Sequence, residues 1–315
     1  MIITNIPDFS QEQIEKLINI YGGKVEVIEN LNDEDACNWE EVEILISYGN
    51  DVNAAFLDRC PNLKWVQAFQ SGVELFPIEE LQKRNIVLTN ILGIHGIPMS
   101  EYTISMILHF TRDFPKYMEN QRKHLWDREE LVGEAHGKVA GIFGAGTIGQ
   151  EVAKRLDFLG MKVYGLNTSG DIKPHFEKMF THEEKIDLLQ QCDYVILILP
   201  LTKQTENFIG EQELAVMKKD ACLINIGRGA LINESEFISA MKSKQIRGAA
   251  LDVFVEDPLP EDSALWDLEN VLITPHVAAK SVKFLDRCIE KFKINIVNYF
   301  NNKPLNNQID LIRGY

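Results

Sequence analysis

The chain has 315 residues, too many for one small core, and domains of roughly 100–200 residues make two the natural expectation. Its 45% hydrophobic and 25% charged residues are those of an ordinary globular protein, which excludes a disordered or repetitive chain. The formal net charge of −15 argues against a nucleic-acid partner, which needs a basic face, and against docking on an anionic membrane; an anionic substrate would need its own local cation.

Five cysteines, Cys37, Cys60, Cys192, Cys222 and Cys288, are scattered without C-x-x-C spacing and read as buried, reduced thiols of a cytosolic protein. No metal site is expected. The opening MIITNIPDFS lacks a basic region followed by a long apolar stretch, so no signal peptide is expected. The longest apolar run, Tyr194 to Leu201, falls far short of the ~20 residues of a spanning helix. A cytoplasmic location follows as the expectation.

In chain order, short β-rich runs come first, at Met1–Thr4, Val25–Ile28, Val42–Ile46, Leu63–Ala68 and Ile86–Thr89. Polar, helix-compatible segments separate several of them, which predicts βαβ units and a parallel sheet. A long helix is predicted from near Pro98. Proline suits a first helical turn, and Glu101 suits the positive end of the helix dipole. Ile104, Ile107, Leu108 and Phe110 follow at helical spacing, and this helix is read as the bridge out of the first domain.

A second strand series runs through Val139–Phe143, Lys162–Leu166, Tyr194–Leu199, Ala221–Ile226, Ala249–Phe254 and Val271–Ile273. These runs are densely apolar without clean alternation, as in strands covered by helices on both faces. The amphipathic stretch Val282 to Phe300 is expected to cross back to the first domain. That domain would then be discontinuous, residues 1–96 and 283–315, around a second domain of residues 97–282.

Strand Val139–Phe143 runs into Gly144-Ala145-Gly146-Thr147-Ile148-Gly149, and a helical pattern follows, closed by Gly160. In a dinucleotide loop one glycine makes the tight turn, one admits a pyrophosphate to the backbone, and one lets helix pack on strand. The helix N-terminus then offers free N–H groups to the phosphates. An NAD site wants an acid after the next strand to hold the ribose hydroxyls. Here Asn167, Thr168 and Ser169 follow, with no carboxylate to repel a 2′-phosphate and two hydroxyls to bond one. The nearest cation in sequence is Lys173. NADP is therefore expected to be favoured over NAD.

Three polar groups follow later strands. Arg228 stands in Gly227-Arg228-Gly229 after Ala221–Ile226; its planar fork suits a carboxylate, and the flanking glycines are expected to leave room for a ligand. His276 stands in Thr274-Pro275-His276 after Val271–Ile273 and can exchange a proton near neutrality. Between them, Ala249–Phe254 leads to Val255-Glu256-Asp257-Pro258, where a carboxylate could orient the histidine. All three lie at the carboxyl ends of predicted parallel strands, the edge where open α/β sheets bind ligands.

These stretches, with Leu251-Asp252-Val253-Phe254 and Pro258-Leu259-Pro260, resemble the D-isomer-specific 2-hydroxyacid dehydrogenase family, glyoxylate/hydroxypyruvate reductases included, from about Gly72 to Lys280. The resemblance implies two Rossmann-like parallel-sheet domains, a dinucleotide-binding domain inserted into a discontinuous flavodoxin-like substrate domain. It implies hydride transfer between NAD(P)H and a small 2-keto acid, giving a D-2-hydroxy acid, and a homodimer built on the first half of the bridging region. Arg228 would bind the substrate carboxylate, and His276 would exchange the proton. Asp257 takes the place of the family's orienting acid, normally Glu. Its side chain is shorter by ~1.5 Å. Its spacing from Phe254 and Pro258 favours it over the alternative, Glu256. Ser71-Gly72-Val73 resembles the substrate-domain loop whose N–H groups also hold the carboxylate. Asp252 would sit near the nicotinamide amide, Pro200 and Thr205 would line the cofactor cleft, and Ile226, Gly227 and Ala278 complete the cofactor-binding set. His95, in Gly93-Ile94-His95-Gly96, reads either as a substrate contact or as part of a structural hinge loop. Two alternatives share the scaffold: a formate- or phosphite-type dehydrogenase, which would not expect an acid at position 257, and a nucleotide-sensing regulator or corepressor.

Overall fold

A computed structural model describes residues 1–129 and 131–311. The chain divides into two compact units: Met1–Ile94 joined by the segment from Ser281 onward, and His95–Lys280.

The first unit begins β1 (Ile2–Thr4), α1 (Gln11–Tyr21), β2 (Val25–Val27), β3 (Ile44–Ser47), α2 (Ala54–Arg59), β4 (Trp65–Ala68), α3 (Ile78–Lys83), β5 (Val87–Thr89). Helix α1 starts where Ser10 and Gln13 close a reciprocal capping box and stops at Gly22, whose φ of +74° suits a residue without a Cβ. The strands pair in parallel in the order β2-β1-β3-β4-β5. This is the flavodoxin order. Successive residues point to opposite faces, so Ile3, Leu45, Val66 and Leu88 enter one core while Ile2, Ile44 and Trp65 enter the other. Both faces are apolar, which is why these strands show no polar alternation.

The second unit holds α4 (Gly96–Thr111), α5 (Phe114–Arg122), β6 (Val139–Phe143), α6 (Thr147–Phe158), β7 (Lys162–Leu166), β8 (Lys178–Phe180), α7 (Lys185–Gln191), β9 (Tyr194–Leu197), α8 (Glu211–Val216), β10 (Cys222–Asn225), α9 (Glu234–Lys242), β11 (Gly248–Leu251) and β12 (Val271–Ile273). Its parallel sheet has the order β12-β11-β10-β9-β6-β7-β8. Counted from β6, that is the doubly wound 3-2-1-4-5-6 arrangement with one more strand. The order reverses between β6 and β9, so the loop after β6 lies at the switch point, where such sheets bind ligands. Val195, Leu197, Leu223 and Leu251 fill the core on one face of this sheet, and Ile142, Ile196, Ile224 and Ala250 fill the other.

The last helix is α10 (Phe284–Phe300). This helix belongs to the first unit because its apolar face is that unit's core: Phe292 stacks on Trp65 with ring centroids 5.1 Å apart, and Leu285, Cys288, Ile289 and Ile296 are buried beside it.

Several expectations change. Helix α4 starts at Gly96 and has no acid in its first turn, so Glu101 falls in the second turn and does not cap the dipole. Strand β11 stops at Leu251, because the backbone beyond it turns to hold a loop described below. Strand β8 and helix α5 are additions; β8 is a three-residue edge strand, Lys-Met-Phe, whose two apolar residues are too short a run to stand out. All five cysteines are free, but Cys37 is only half-buried. Burial pushes the thiols of Cys60, Cys192, Cys222 and Cys288 up to about 12, which leaves them unreactive near neutrality. Among the described residues no helix is long and apolar enough to cross a membrane, and no group of metal-ligating side chains is found.

Candidate active site

The glycine loop separates its three tasks by geometry. Gly144 has a φ of +111°, in the left-handed region, and its N–H donates to the Leu166 carbonyl at 3.1 Å. A methyl on Gly149 would collide with the Gly144 carbonyl oxygen, so this glycine lets α6 close onto the loop. Gly146 has nothing within 4 Å of the position a Cβ would take. It is also the N-cap of the 12-residue α6, which has neither a side-chain cap nor an acid in its first turn. Open space beside uncapped N–H groups at a helix start fits an anionic pyrophosphate. Thr147 is exposed on the first turn, whereas Ile148 packs against the core.

After β7, the Asn167 carboxamide is occupied by its own turn. Its oxygen accepts from the N–H groups of Ser169 (3.1 Å) and Gly170 (2.6 Å), and its Nδ2 donates to the Asp171 carbonyl at 3.0 Å. Thr168 and Ser169 are exposed on the turn so shaped. Thr205 stands in the loop after β9. It is buried, donates to the Pro200 carbonyl at 2.6 Å and accepts from the Thr202 N–H at 2.8 Å, so it clamps the loop after β9 while Pro200 stays exposed.

The three adjacent strands β10, β11 and β12 run in register, Asn225 beside Leu251 beside Ile273. Neighbouring strands lie about 4.8 Å apart, so chain leaving these three ends stays within small-molecule reach. His276 and Asp257 meet directly: His276 Nδ1 lies 2.6 Å from Asp257 Oδ2. An ionised carboxylate only accepts, so Nδ1 carries the hydrogen and Nε2 is left for proton exchange. Both side chains are about half exposed (55% and 44%), so the pair matters for orientation more than for stability. Asp257 therefore reaches the histidine despite its shorter side chain. The neighbouring Glu256 is exposed; its charge, after burial, helps push the Glu234 carboxyl up.

Arg228 is exposed, and its guanidinium donates to the Gly227 carbonyl at 2.8 Å. Its turn is held by buried Asn225, which accepts from the Gly227 N–H (3.1 Å) and donates to the Arg228 carbonyl (2.9 Å). The flanking glycines make room for protein rather than for ligand. A methyl on Gly229 would run into the backbone of Phe254 and Val255, and one on Gly227 would lie 2.9 Å from Leu231 and 3.1 Å from the Leu199 carbonyl. Gly229 thus lets the Arg228 loop lie against the loop that leads to Asp257.

Asp252 lies just after β11 and is tied to the loop that carries His276. It is buried, and its carboxylate is enclosed by the loop that carries His276: Thr274 Oγ1 donates at 2.6 Å, and the N–H groups of Val277 and Ala278 donate at 2.8 Å each. The His276 N–H donates to the Asp252 carbonyl at 3.0 Å. These bonds hold His276 at a φ of +53°, a conformation that few non-glycine residues adopt. Ala278 is buried with its N–H on Asp252, and Ile226 is buried at the end of β10. Sequence reasoning missed Asn225 and Gly229 as positioning residues, and the only local signal was their adjacency to Arg228.

In the first unit, Ser71 and Gly72 follow β4, and the loop is tied to the chain after β5: Ser71 Oγ donates to the Ile91 carbonyl (3.2 Å) and Asn90 donates to the Ser71 carbonyl (2.6 Å). Val73 is buried. His95 is half-buried at the N-cap of α4, in the second unit, and makes no capping bond with its side chain.

Residues 104–278 match the family model of the D-isomer specific 2-hydroxyacid dehydrogenase, NAD binding domain. The glyoxylate reductase of Thermofilum pendens is 33% identical over 280 residues, covering 86% of this chain and 80% of that one. The D-3-phosphoglycerate dehydrogenase of Methanocaldococcus jannaschii is 31% identical over 266 residues, 82% of this chain; the match spans only 48% of that longer protein. A crystal structure of a D-isomer specific 2-hydroxyacid dehydrogenase family protein from Aeromonas salmonicida superposes with a TM-score of 0.82 at 30% identity, covering 98% of both chains. The family model spans more than half of the chain and the relatives cover most of it, on the same doubly wound fold: the chain belongs to the D-isomer specific 2-hydroxyacid dehydrogenase family.

Proposed function

We propose that the chain reduces a small 2-keto acid, of the glyoxylate or hydroxypyruvate kind, to the D-2-hydroxy acid with a nicotinamide cofactor. The observation that carries this reading is the 2.6 Å pair of His276 Nδ1 and Asp257 Oδ2 at the carboxyl edge of β12 and β11, one strand from the Arg228 loop.

The glycine loop and the start of α6 would hold the pyrophosphate, and the bound reduced nicotinamide supplies the hydride. Arg228 binds and orients the substrate carboxylate through a planar fork, the local cation that a net charge of −15 requires. His276 gives the Nε2 proton to the carbonyl oxygen, and Asp257 holds its ring so that Nε2 faces the substrate. The imidazole is reprotonated from solvent, so one proton is consumed per hydroxyl formed. In the reverse direction the same nitrogen removes the hydroxyl proton. His95 stays a substrate-contact candidate. The turn Asn167–Ser169 carries two exposed hydroxyls and no carboxylate, which supports a preference for NADP over NAD.

The active form is a homodimer. The segment after α4 exposes Phe114, Tyr117, Met118, Leu125, Trp126 and Leu131, and large apolar side chains exposed together in one segment support a contact surface.

The test is an oxidation assay of NADPH and NADH with glyoxylate, hydroxypyruvate and longer 2-keto acids. Turnover of at least one 2-keto acid, lost in His276→Asn, is expected. Absence of turnover across the panel with both cofactors overturns the activity, and a tenfold preference for NADH overturns the cofactor choice alone.

A further inference from the structure

Helix α4 reaches the catalytic loop through one hydroxyl. The Tyr102 hydroxyl lies 2.7 Å from Thr274 Oγ1, and Thr274 Oγ1 donates to Asp252 Oδ1 at 2.6 Å. Because the Thr274 proton goes to a carboxylate, which can only accept, Tyr102 must be the donor to Thr274. The same carboxylate gathers the N–H groups of Val277 and Ala278, on the two residues after His276. A chain of three bonds therefore runs from the second turn of α4 to the backbone just after His276.

We infer that Tyr102 is a positioning residue for His276, fixing the Thr274–Ala278 loop through Thr274 and Asp252. Three observations support this. The loop holds a non-glycine residue at a φ of +53°, which persists only where surrounding bonds over-determine it. Asp252 is buried, so a weakened bond to it is not replaced by water without cost. Burial pushes the Tyr102 phenol up to about 12, so it remains a donor throughout the pH range in which the enzyme would work. Threonine alone could bond to Asp252 with its hydroxyl in one of several rotamers. The tyrosine selects the rotamer that points at Oδ1, and hydrogen bonds in such chains strengthen one another.

The inference rests on the proposed reductase reading for its consequence in catalysis, but the bond chain itself can be measured without turnover. Tyr102→Phe removes only the hydroxyl and keeps the ring. In the cofactor-free protein, hydrogen exchange followed by mass spectrometry should show the 274–280 segment exchanging at least fivefold faster, with β6, β9 and β10 unchanged. In steady state kcat should fall three- to tenfold while KM for the keto acid and Kd for the cofactor stay within twofold. A general loosening of the fold would move those constants as well. Tyr102→Phe should have no further effect in a Thr274→Val background, because the chain is already cut there. Unchanged exchange at 274–280, or kcat within twofold of the parent, overturns the inference; so does additivity of the two substitutions. A wild-type protein that reduces no 2-keto acid defeats the reductase reading instead, and the exchange experiment then decides the bond chain alone.

Discussion

Asp257 is one methylene shorter than glutamate, yet its Oδ2 lies 2.6 Å from His276 Nδ1, so the backbone after β11 supplies the reach that the side chain lacks. The two acids of this strand end divide the work. Asp257 is half exposed and touches the imidazole, whereas Asp252 is buried and holds the backbone around it. Their removal should therefore fail in different currents of the same assay. Asp257→Ala should lower kcat by about ten- to a hundredfold, at the lower end of general acid–base effects, and displace the pH–rate profile. Its unfolding midpoint in urea should hardly move; an unchanged pH–rate profile would refute the role. Asp252→Ala leaves two amide N–H groups and one hydroxyl without their acceptor in a buried place. It should cost about 2–4 kcal/mol of stability, read as a lower urea midpoint at constant slope. Loss of activity with full stability would show that Asp252 touches the cofactor after all.

At the scale of elements, the strand ends converge because two backbones come unusually close. Gly229, just beyond β10, lies against Phe254 and Val255, and a methyl there would strike their main-chain atoms. Main chain cannot swing aside as a side-chain tip can, so Gly229→Ala must separate the Arg228 loop from the one that leads to Asp257. The expected result is a rise of at least tenfold in KM for the keto acid, with cofactor Kd within threefold, since the glycine loop after β6 is untouched. Equal losses in cofactor and substrate binding would mean that the whole sheet had shifted.

The elements also show what a linear sequence carries. Strands β6, β7 and β12 have the predicted bounds residue for residue, because their apolar runs end at glycine or polar residues in the sequence itself. The glycine loop was legible because its three glycines fall within six residues between a strand and a helix, although Gly144 also bonds to Leu166 at a distance in the chain. Arg228, Asp257 and His276 were legible as residues following strands. The work of Asp252, Asn225 and Gly229 was not, because their partners in backbone and side chain lie across strands. Asp252 holds groups 22 to 26 residues away, and nothing in local spacing marks such a bond. Helix α5 escaped because it follows Asp113 at a φ of +53° and buries no residue, so it carries no core-facing stripe. The loop bonds of Thr205 and the close packing around Gly227 and Gly229 were not legible either, because their neighbours lie in other turns of the chain.

For the whole molecule, a charge of −15 and an exposed apolar segment pull in opposite directions. Two copies brought together repel at long range, yet Trp126 is 87% and Leu131 96% exposed, and Phe114 and Met118 of the same stretch of chain are exposed too. A surface cavity of about 460 Å³ lined by Tyr117, His124, Leu125, Trp126 and Arg128 adds concave shape to the patch. Burial of apolar area acts at contact and is not screened, whereas repulsion between surface charges decays over about 8 Å at 0.15 M salt. Burial should win, and win by more as salt rises. Light scattering should give a mass twice the 35.9 kDa of the chain at 0.15 M salt, and the same mass at 0.5 M. Trp126→Glu combined with Leu131→Glu should give the single-chain mass, because two carboxylates would have to enter the apolar contact, and its helical content should match the parent. A parent of single-chain mass at both salt concentrations would show that this surface is not covered by a second copy; a dimer that survives both substitutions would place the contact elsewhere.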